Sequence, residues 1–266
     1  MAKAASERTT DGVLEATAAT NGSTGRGRRL ARAALIGGVG TALTVVPALT
    51  VRRVRHMREE ARSIAPLTLD LDIEGTAPAL KIVVVGDSSS AGFRLDHAEQ
   101  SSARRVARAL HLRDGRAIEL RCAARNGATA ADVLADQVEA VAGADIVLIG
   151  VGANDAKDRI PSDAVEESLT ELIGRVRELA ASDARIVLVG VPDLSVAPGL
   201  PWLARAVVRP NVRRVARIQQ RVAAALGVPL VPVPREELTP DIFAVDGFHP
   251  GPLGHERITA KVLTHL

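Results

Sequence analysis

The sequence predicts an α/β protein, namely a three-layer α/β/α sandwich with a five-stranded parallel sheet. Five short apolar runs lie between residues 81 and 233, and each has the continuous hydrophobicity of a strand that is buried on both faces. Amphipathic stretches separate these runs, so strand and helix alternate along the chain. This alternation is typical of right-handed βαβ units, which place helices on both faces of a parallel sheet.

The predicted elements follow one another in regular order. The strands are 81–85 (KIVVV), 117–122 (AIELRC), 145–151 (DIVLIGV), 185–191 (RIVLVGV) and 228–233 (VPLVPV). The helices are 98–111, 129–142, 162–181, 211–226 and 252–265. Thr129 and Asp132 have the spacing of a capping box at the start of the second helix. Residues 67–75 (LTLDLDIEG) alternate between apolar and polar, which favours an edge strand or hairpin arm over an acidic phosphatase pair at Asp70 and Asp72.

The N-terminal part of the chain differs from the rest in composition. Residues 1–29 lack apolar periodicity, which predicts a disordered basic arm. Within residues 30–55, the stretch 33–51 carries no charge, and as a helix it would span roughly 28 Å, about one hydrocarbon core. We interpret it as an uncleaved anchor that holds the protein at a membrane, with an export signal or a soluble helix as alternatives. Arginines flank it on both sides and leave its orientation open. Residues 56–79 are interpreted as a linker and 80–266 as the α/β domain.

The positive charge is concentrated at the N-terminus. Residues 1–62 hold 11 Lys and Arg against 5 Asp and Glu, whereas the remainder holds 23 against 26, so the α/β domain is mildly acidic. This balance argues against nucleic acid as a partner. The single Cys122 excludes an internal disulfide and lacks the clustering of a zinc site. Neither the composition nor the charge predicts an oligomeric state.

Polar segments follow three of the predicted strands, at the sheet edge where parallel sheets bind ligands. The first is Gly86-Asp87-Ser88, where a serine at a sharp strand-to-helix turn would present its hydroxyl to solvent; an ordinary serine-rich turn is the alternative. The second contains Gly127, whose missing side chain would let a backbone N–H face a cleft. The third contains Asn154, whose amide could hold an oxyanion. No Gly-Lys-Ser/Thr follows the third segment, which argues against a phosphate-binding loop.

A fourth segment, Asp246-Gly247-Phe248-His249, lies near the C-terminus. Its three-residue spacing on a turn lets a carboxylate reach one ring nitrogen of the histidine and leaves the other nitrogen to face a nucleophile. An isolated histidine there would more often be a solvated or capping residue. The aspartate at this spacing favours a functional interpretation.

In their order, these four segments resemble the blocks of the GDSL or SGNH hydrolase family, and the resemblance covers residues 82–266. It implies a flavodoxin-like SGNH hydrolase fold and a serine esterase or lipase that acts on a small-molecule or lipid ester without cofactor or metal. Ser88 would be the nucleophile, and Asp246 and His249 would complete its triad. Gly127 and Asn154 would join the Ser88 N–H in the oxyanion hole.

Other functions and sites remain open from the sequence. The alternatives are O-deacetylation of a carbohydrate or envelope polymer, and a catalytically silent binding protein that keeps the fold. Five arginines recur every four residues from Arg205 to Arg221, which indicates a solvated basic helix face or, as an alternative, a surface against anionic lipid headgroups. Residues 194–208 are apolar and proline-rich, and they form either an ordinary connection or a lip over the acyl site with Trp202 as its wall.

Overall fold

The structure is a computed structural model, and it describes residues 65–266. The predicted basic arm, the predicted anchor and the beginning of the linker lie outside the described residues. Within residues 65–266, no helix combines the length and the hydrophobicity that crossing a bilayer needs.

Six strands form one sheet in the order β1-β3-β2-β4-β5-β6. Their bounds are Leu71–Ile73 (β1), Thr76–Gly86 (β2), Arg116–Cys122 (β3), Ile146–Gly150 (β4), Arg185–Val189 (β5) and Leu230–Val231 (β6). Strands β2 to β6 are the five predicted strands, and all of them run parallel. The prediction of a purely parallel, five-stranded sheet is wrong in one respect, because β1 adds an antiparallel edge beside β3. This strand comes from the alternating stretch 67–75, whose half-exposed pattern suits an edge.

The helices cover both faces of the sheet. Among the described residues they are Ser102–Asp114 (α1), Ala130–Asp136 (α2), Ala153–Lys157 (α3), Ser162–Leu179 (α4), Trp202–Leu226 (α5) and Pro252–Leu263 (α6), with 3₁₀ turns at Ala98–Gln100, Val138–Val141, Leu194–Val196, Arg235–Glu237 and Pro240–Ile242. The side chains of β2 alternate between the two faces: Val83 and Val85 pack in one core cluster with α2, α4 and α5, whereas Ile82 and Val84 pack in the other with α1 and α6. The sandwich therefore has two aliphatic cores.

Two helices differ from the sequence prediction. The amphipathic stretch 129–142 divides into α2 and a 3₁₀ turn, although the predicted capping box of Thr129 and Asp132 is present. Helix α5 begins at Trp202 rather than at residue 211 and continues through Pro210. Because a proline lacks one backbone donor, it removes a single bond from the helix. Nearby, the side-chain amide of Asn211 donates to the Val207 carbonyl at 3.0 Å.

Candidate active site

The turn that carries Ser88 begins where two neighbouring strands end on glycines. Gly86 of β2 is paired with Gly150 of β4. A Cβ on Gly86 would collide with the Gly150 carbonyl oxygen, and a Cβ on Gly150 would collide with Ser90 Oγ. The same carbonyl accepts hydrogen bonds from the Asp87 N–H at 2.9 Å and from Ser90 Oγ at 3.2 Å. The glycines therefore allow the Ser88 turn to lie directly against the end of β4.

A buried glutamine also holds the backbone of Gly86, at the end of β2. The Gln137 side chain accepts from the Gly86 N–H at 2.8 Å and donates to the Gly86 carbonyl at 3.0 Å. A second buried glutamine, Gln219 of α5, accepts from the Val191 N–H and donates to the Val151 carbonyl, both at 2.8 Å. Each glutamine satisfies backbone groups that would otherwise be buried without partners at the strand ends.

Ser88, His249 and Asp246 form a continuous hydrogen-bonded chain. Ser88 Oγ lies 3.0 Å from His249 Nε2, and His249 Nδ1 lies 2.7 Å from Asp246 Oδ2. The carboxylate can only accept, so the imidazole proton lies on Nδ1 and Nε2 is left to accept from the serine hydroxyl. The fold thus brings the Asp246–His249 turn to the end of β2, although the two are far apart in sequence. The three side chains have the geometry of a nucleophile, a base and a group that orients the base.

The Asp246 carboxylate is held in its ionised form. Burial acts to raise its pKa, but the hydrogen bonds from His249 and from the N–H groups of Phe248 and His249 outweigh burial and lower the pKa to about 2. Those two N–H groups donate to Asp246 Oδ1 at 2.9 and 3.0 Å. Arg94, which follows the Ser88 turn, places its Nε 3.4 Å from Asp246 Oδ2. The arginine connects the two parts of the site through an ion pair.

Aromatic rings support the His249 imidazole. Phe93 and Phe248 meet it edge-on, with ring centroids 4.8 Å and 5.3 Å away. Trp202, which one of the two interpretations of residues 194–208 makes the wall of the acyl site, is 74% exposed at the start of α5. The segment before it does reach the triad turn, since the Gly199 N–H donates to the Gly247 carbonyl at 2.8 Å.

Three of the predicted site residues, Ser88, Gly127 and Asn154, each keep an N–H without a hydrogen-bond partner among the described residues. Within residues 65–266, the backbone N–H groups of Ser88 and Gly127 donate no hydrogen bond. The Asn154 amide donates one hydrogen to the Ala128 carbonyl at 3.0 Å, which leaves its second hydrogen available. Asn154 Oδ1 accepts from Lys157 Nζ at 2.6 Å. The Ala128 carbonyl can only accept and the Lys157 ammonium can only donate, so these two partners fix which end of the Asn154 amide is the NH₂ group. In this orientation one N–H of the amide has no partner.

Two further carboxylates, Asp87 next to Ser88 and Asp155 next to Asn154, are buried. Burial raises the pKa of Asp87 to about 6, although its bond from the Ser89 N–H opposes the shift. Burial also raises the pKa of Asp155, whose two oxygens lie 3.2 Å from the Ala130 N–H. In the described part of the chain, no group of three or more His, Cys, Asp and Glu side chains could hold a metal ion.

The sequence prediction missed several residues of this site. Lys157 and Arg94 contact predicted site residues, and Gln137 supports the serine turn. Lys157 lies one helical turn after Asn154, so helical spacing was a usable signal for it. Arg94 and Gln137 act across long sequence separations, for which the sequence carries no signal.

Comparison with known proteins identifies the family. Residues 84–257 match the GDSL-like lipase/acylhydrolase family. The chain belongs to this family. It is 31% identical over 249 residues to a GDSL-like esterase of Mycobacterium tuberculosis, covering 83% of this chain and 76% of that protein. The resemblance read from the sequence is thereby confirmed, and the GDSL protein described here is an ester hydrolase.

Solved structures share the fold of this GDSL hydrolase. The crystal structure of TesA has a TM-score of 0.57 at 24% identity and covers 70% of this chain and 97% of that chain. A lipase/acylhydrolase from Enterococcus faecalis has a TM-score of 0.55 at 24% identity and covers 70% of this chain and 94% of that chain. At these identities the likeness concerns the fold alone.

Proposed function

We propose that this GDSL hydrolase cleaves carboxylic esters of the esterase or lipase type through an acyl-enzyme on Ser88. The observation that carries the proposal is the Ser88–His249–Asp246 chain of hydrogen bonds at 3.0 and 2.7 Å. His249 takes the proton of Ser88 as Oγ attacks the ester carbonyl, while Asp246 holds the tautomer and stabilises the imidazolium. His249 then returns this proton to the leaving alcohol, and water, activated by the same base, releases the acid.

The oxyanion of each tetrahedral intermediate is assigned to the three free donors. The backbone N–H groups of Ser88 and Gly127 and the second N–H of Asn154 would share its charge. Donors that are fixed before the reaction stabilise the transition state without reorganisation. Lys157 supports this role because its Nζ donates to Asn154 Oδ1 at 2.6 Å and so fixes the orientation of the amide.

The test is hydrolysis of p-nitrophenyl esters of increasing acyl length by the full chain, compared with Ser88→Ala and Ser89→Ala. Loss of the nucleophile should lower kcat by about 10⁴- to 10⁶-fold. Ser89→Ala removes a hydroxyl from the same turn, should keep the wild-type kcat and is the matched control. Turnover and fluorophosphonate labelling that survive in Ser88→Ala would refute the acyl-enzyme. Inactivity of the unmutated enzyme toward every ester would favour the silent binding protein.

We also propose that residues 33–51 anchor the enzyme to a membrane. The support is the uncharged, 19-residue sequence flanked by arginines. Membranes from expressing cells, washed with alkaline carbonate, should retain the full chain and release a variant with two arginines inserted at the centre of the segment. Release of both proteins would remove the anchor.

A further inference from the structure

The first ten residues of α5 are packed unlike the rest of that helix. The buried side chains of α5 begin at Val212, and none lies between residues 202 and 211. This stretch, residues 202–211, is called the α5 overhang below. It carries three exposed large apolar side chains, Trp202, Leu203 and Val207. Val208 packs against the core and Arg205 donates to the Leu200 and Ala197 carbonyls, but within residues 65–266 the three apolar side chains stay exposed. Exposed apolar clusters usually mark a contact surface.

Contacts with α4 show where the overhang lies. Arg214 donates to the hydroxyl of Ser162, the first residue of α4, at 3.0 Å, and Arg221 pairs with Glu166 one turn later at 2.5 Å. The two helices therefore run side by side from residue 214 onward. At 1.5 Å per residue, the preceding stretch 202–213 extends about 18 Å past the start of α4.

The overhang begins beside the catalytic turn. Gly199 donates to the Gly247 carbonyl at 2.8 Å, and Trp202 follows Gly199 by three residues, which limits their separation to roughly 11 Å. Val245, next to Asp246, is 95% exposed. Exposed apolar side chains therefore lie within three residues of the Gly199–Gly247 contact on each of the two chain segments that it joins.

The exposed face of α5 is also basic. Residues 202–226 contain six arginines and no lysine, aspartate or glutamate. Positions 202, 206, 209, 213 and 217 fall on one helical face, so the exposed Arg209, Arg213 and Arg217 continue the line of Trp202. Arg213 and Arg217 make no ion pair within residues 65–266, and the contact of Arg209 with Asp193 is long, at 3.9 Å. Among the described residues, the positive charges of Arg213 and Arg217 thus have no ion-pair partner, and that of Arg209 has a distant one.

We propose that this face, formed by the α5 overhang and by Arg213 and Arg217, docks on an anionic phospholipid surface. Tryptophan and aliphatic side chains enter the interface between headgroups and acyl chains, whereas arginines pair with lipid phosphates, as in helices that lie on membranes. The apolar part distinguishes this surface from one that binds nucleic acid. Docking would turn the rim of the Ser88 site toward the lipid.

The sole tryptophan makes the test direct. The chain has no tyrosine, so its intrinsic emission comes from Trp202. The full chain is reconstituted into phosphatidylglycerol vesicles and into phosphatidylcholine vesicles. We expect Trp202 emission to move to shorter wavelength, and to be quenched by brominated acyl chains, only in the phosphatidylglycerol vesicles. Raising the salt to about 0.5 M, where the Debye length is near 4 Å, should reverse most of the shift.

Two variants with the same change in net charge separate the surface from general attraction. Arg209→Gln/Arg213→Gln/Arg217→Gln should lose most of the shift, whereas Arg108→Gln/Arg113→Gln/Arg185→Gln should keep it. The surface is wrong if both variants respond alike, if neutral vesicles give an equal shift, or if no vesicle shifts the emission. An equal response to duplex DNA would assign the face to nucleic acid instead. Emission needs no turnover, so the result does not depend on the role of Ser88.

Discussion

The two parts of the proposed active site are built by different means. Ser88, Gly127 and Asn154 follow the ends of β2, β3 and β4, where glycines and the buried Gln137 hold the backbone. Asp246 and His249 lie on a turn between a 3₁₀ turn and α6. This turn is fixed by hydrogen bonds to Asp246 Oδ1, by its contact with Gly199 and by Arg94.

The difference concerns both rigidity and charge. The strand-borne part, which contains Ser88, Gly127 and Asn154, depends on backbone packing. Its carboxylates Asp87 and Asp155 have raised pKa values because they are buried. The loop-borne part, which contains Asp246 and His249, depends on a few hydrogen bonds and ion pairs. These contacts lower the pKa of Asp246 to about 2. Substitutions in the loop-borne part should therefore impair catalysis while leaving the fold intact. Substitutions in the strand-borne part should affect catalysis or stability according to what each group holds.

The largest effect is expected from Asp246→Asn. Asparagine keeps the shape but cannot hold the proton on Nδ1 of His249, so kcat for an activated ester should fall by about 10⁴-fold. Circular dichroism should show an unchanged fold. The control is Asp241→Asn, which changes an exposed aspartate in the preceding 3₁₀ turn, Pro240–Ile242. A fall of less than tenfold in Asp246→Asn would mean that the loop carboxylate does not orient the base.

In the strand-borne part, Asn154→Ala removes one of the proposed oxyanion donors, and we expect kcat to fall by about 10²- to 10³-fold with little change in KM. The exposed Asn126, beside Gly127, provides the matched control Asn126→Ala. Lys157→Met keeps the amide but frees its orientation, so we expect a smaller loss, of about tenfold. A change in KM alone for Asn154→Ala would place the amide in substrate binding rather than at the oxyanion.

The sequence predicts the residues of both parts from local patterns, but it does not predict the contacts that join distant segments. The strands β2 to β6 and the site residues of the strand-borne part come from local patterns, namely apolar runs that end on glycine, serine or asparagine. The loop-borne pair comes from a three-residue spacing. Arg94 and Gln137 could not be predicted, since their partners lie far away in sequence and only the folded chain brings them together. The first turns of α5 were missed because Pro210 interrupts the helical pattern, and proline excludes only one hydrogen bond.

Stability tests the buried charge of the strand-borne part. The pKa of Asp87 is about 6 in the folded state against 3.8 for an unperturbed aspartate, so the native state keeps its proton as the pH rises through this interval. Ionisation of Asp87 then destabilises the fold, by up to about 3 kcal/mol above pH 6. In urea unfolding, the difference in the free energy of unfolding between Asp87→Asn and the wild type should therefore increase by about 3 kcal/mol in favour of the variant from pH 4 to pH 8. The exposed control Asp96→Asn should show no such increase, and an equal change in both variants would contradict the assignment.

The smallest effect should come from the ion pair that joins the two parts. Arg94→Gln removes the charge next to Asp246 Oδ2, and we expect kcat to fall by about tenfold with KM unchanged, because the contact positions the carboxylate rather than the substrate. Arg94→Lys should recover part of the activity. In the Asp246→Asn background the same substitution should have little further effect on kcat, since the Asp246 charge that Arg94 contacts is already absent. Additive losses in the double variant would show that Arg94 acts independently of Asp246, and the two parts would then be coupled through the Ser88–His249 hydrogen bond and the Phe93–His249 ring contact.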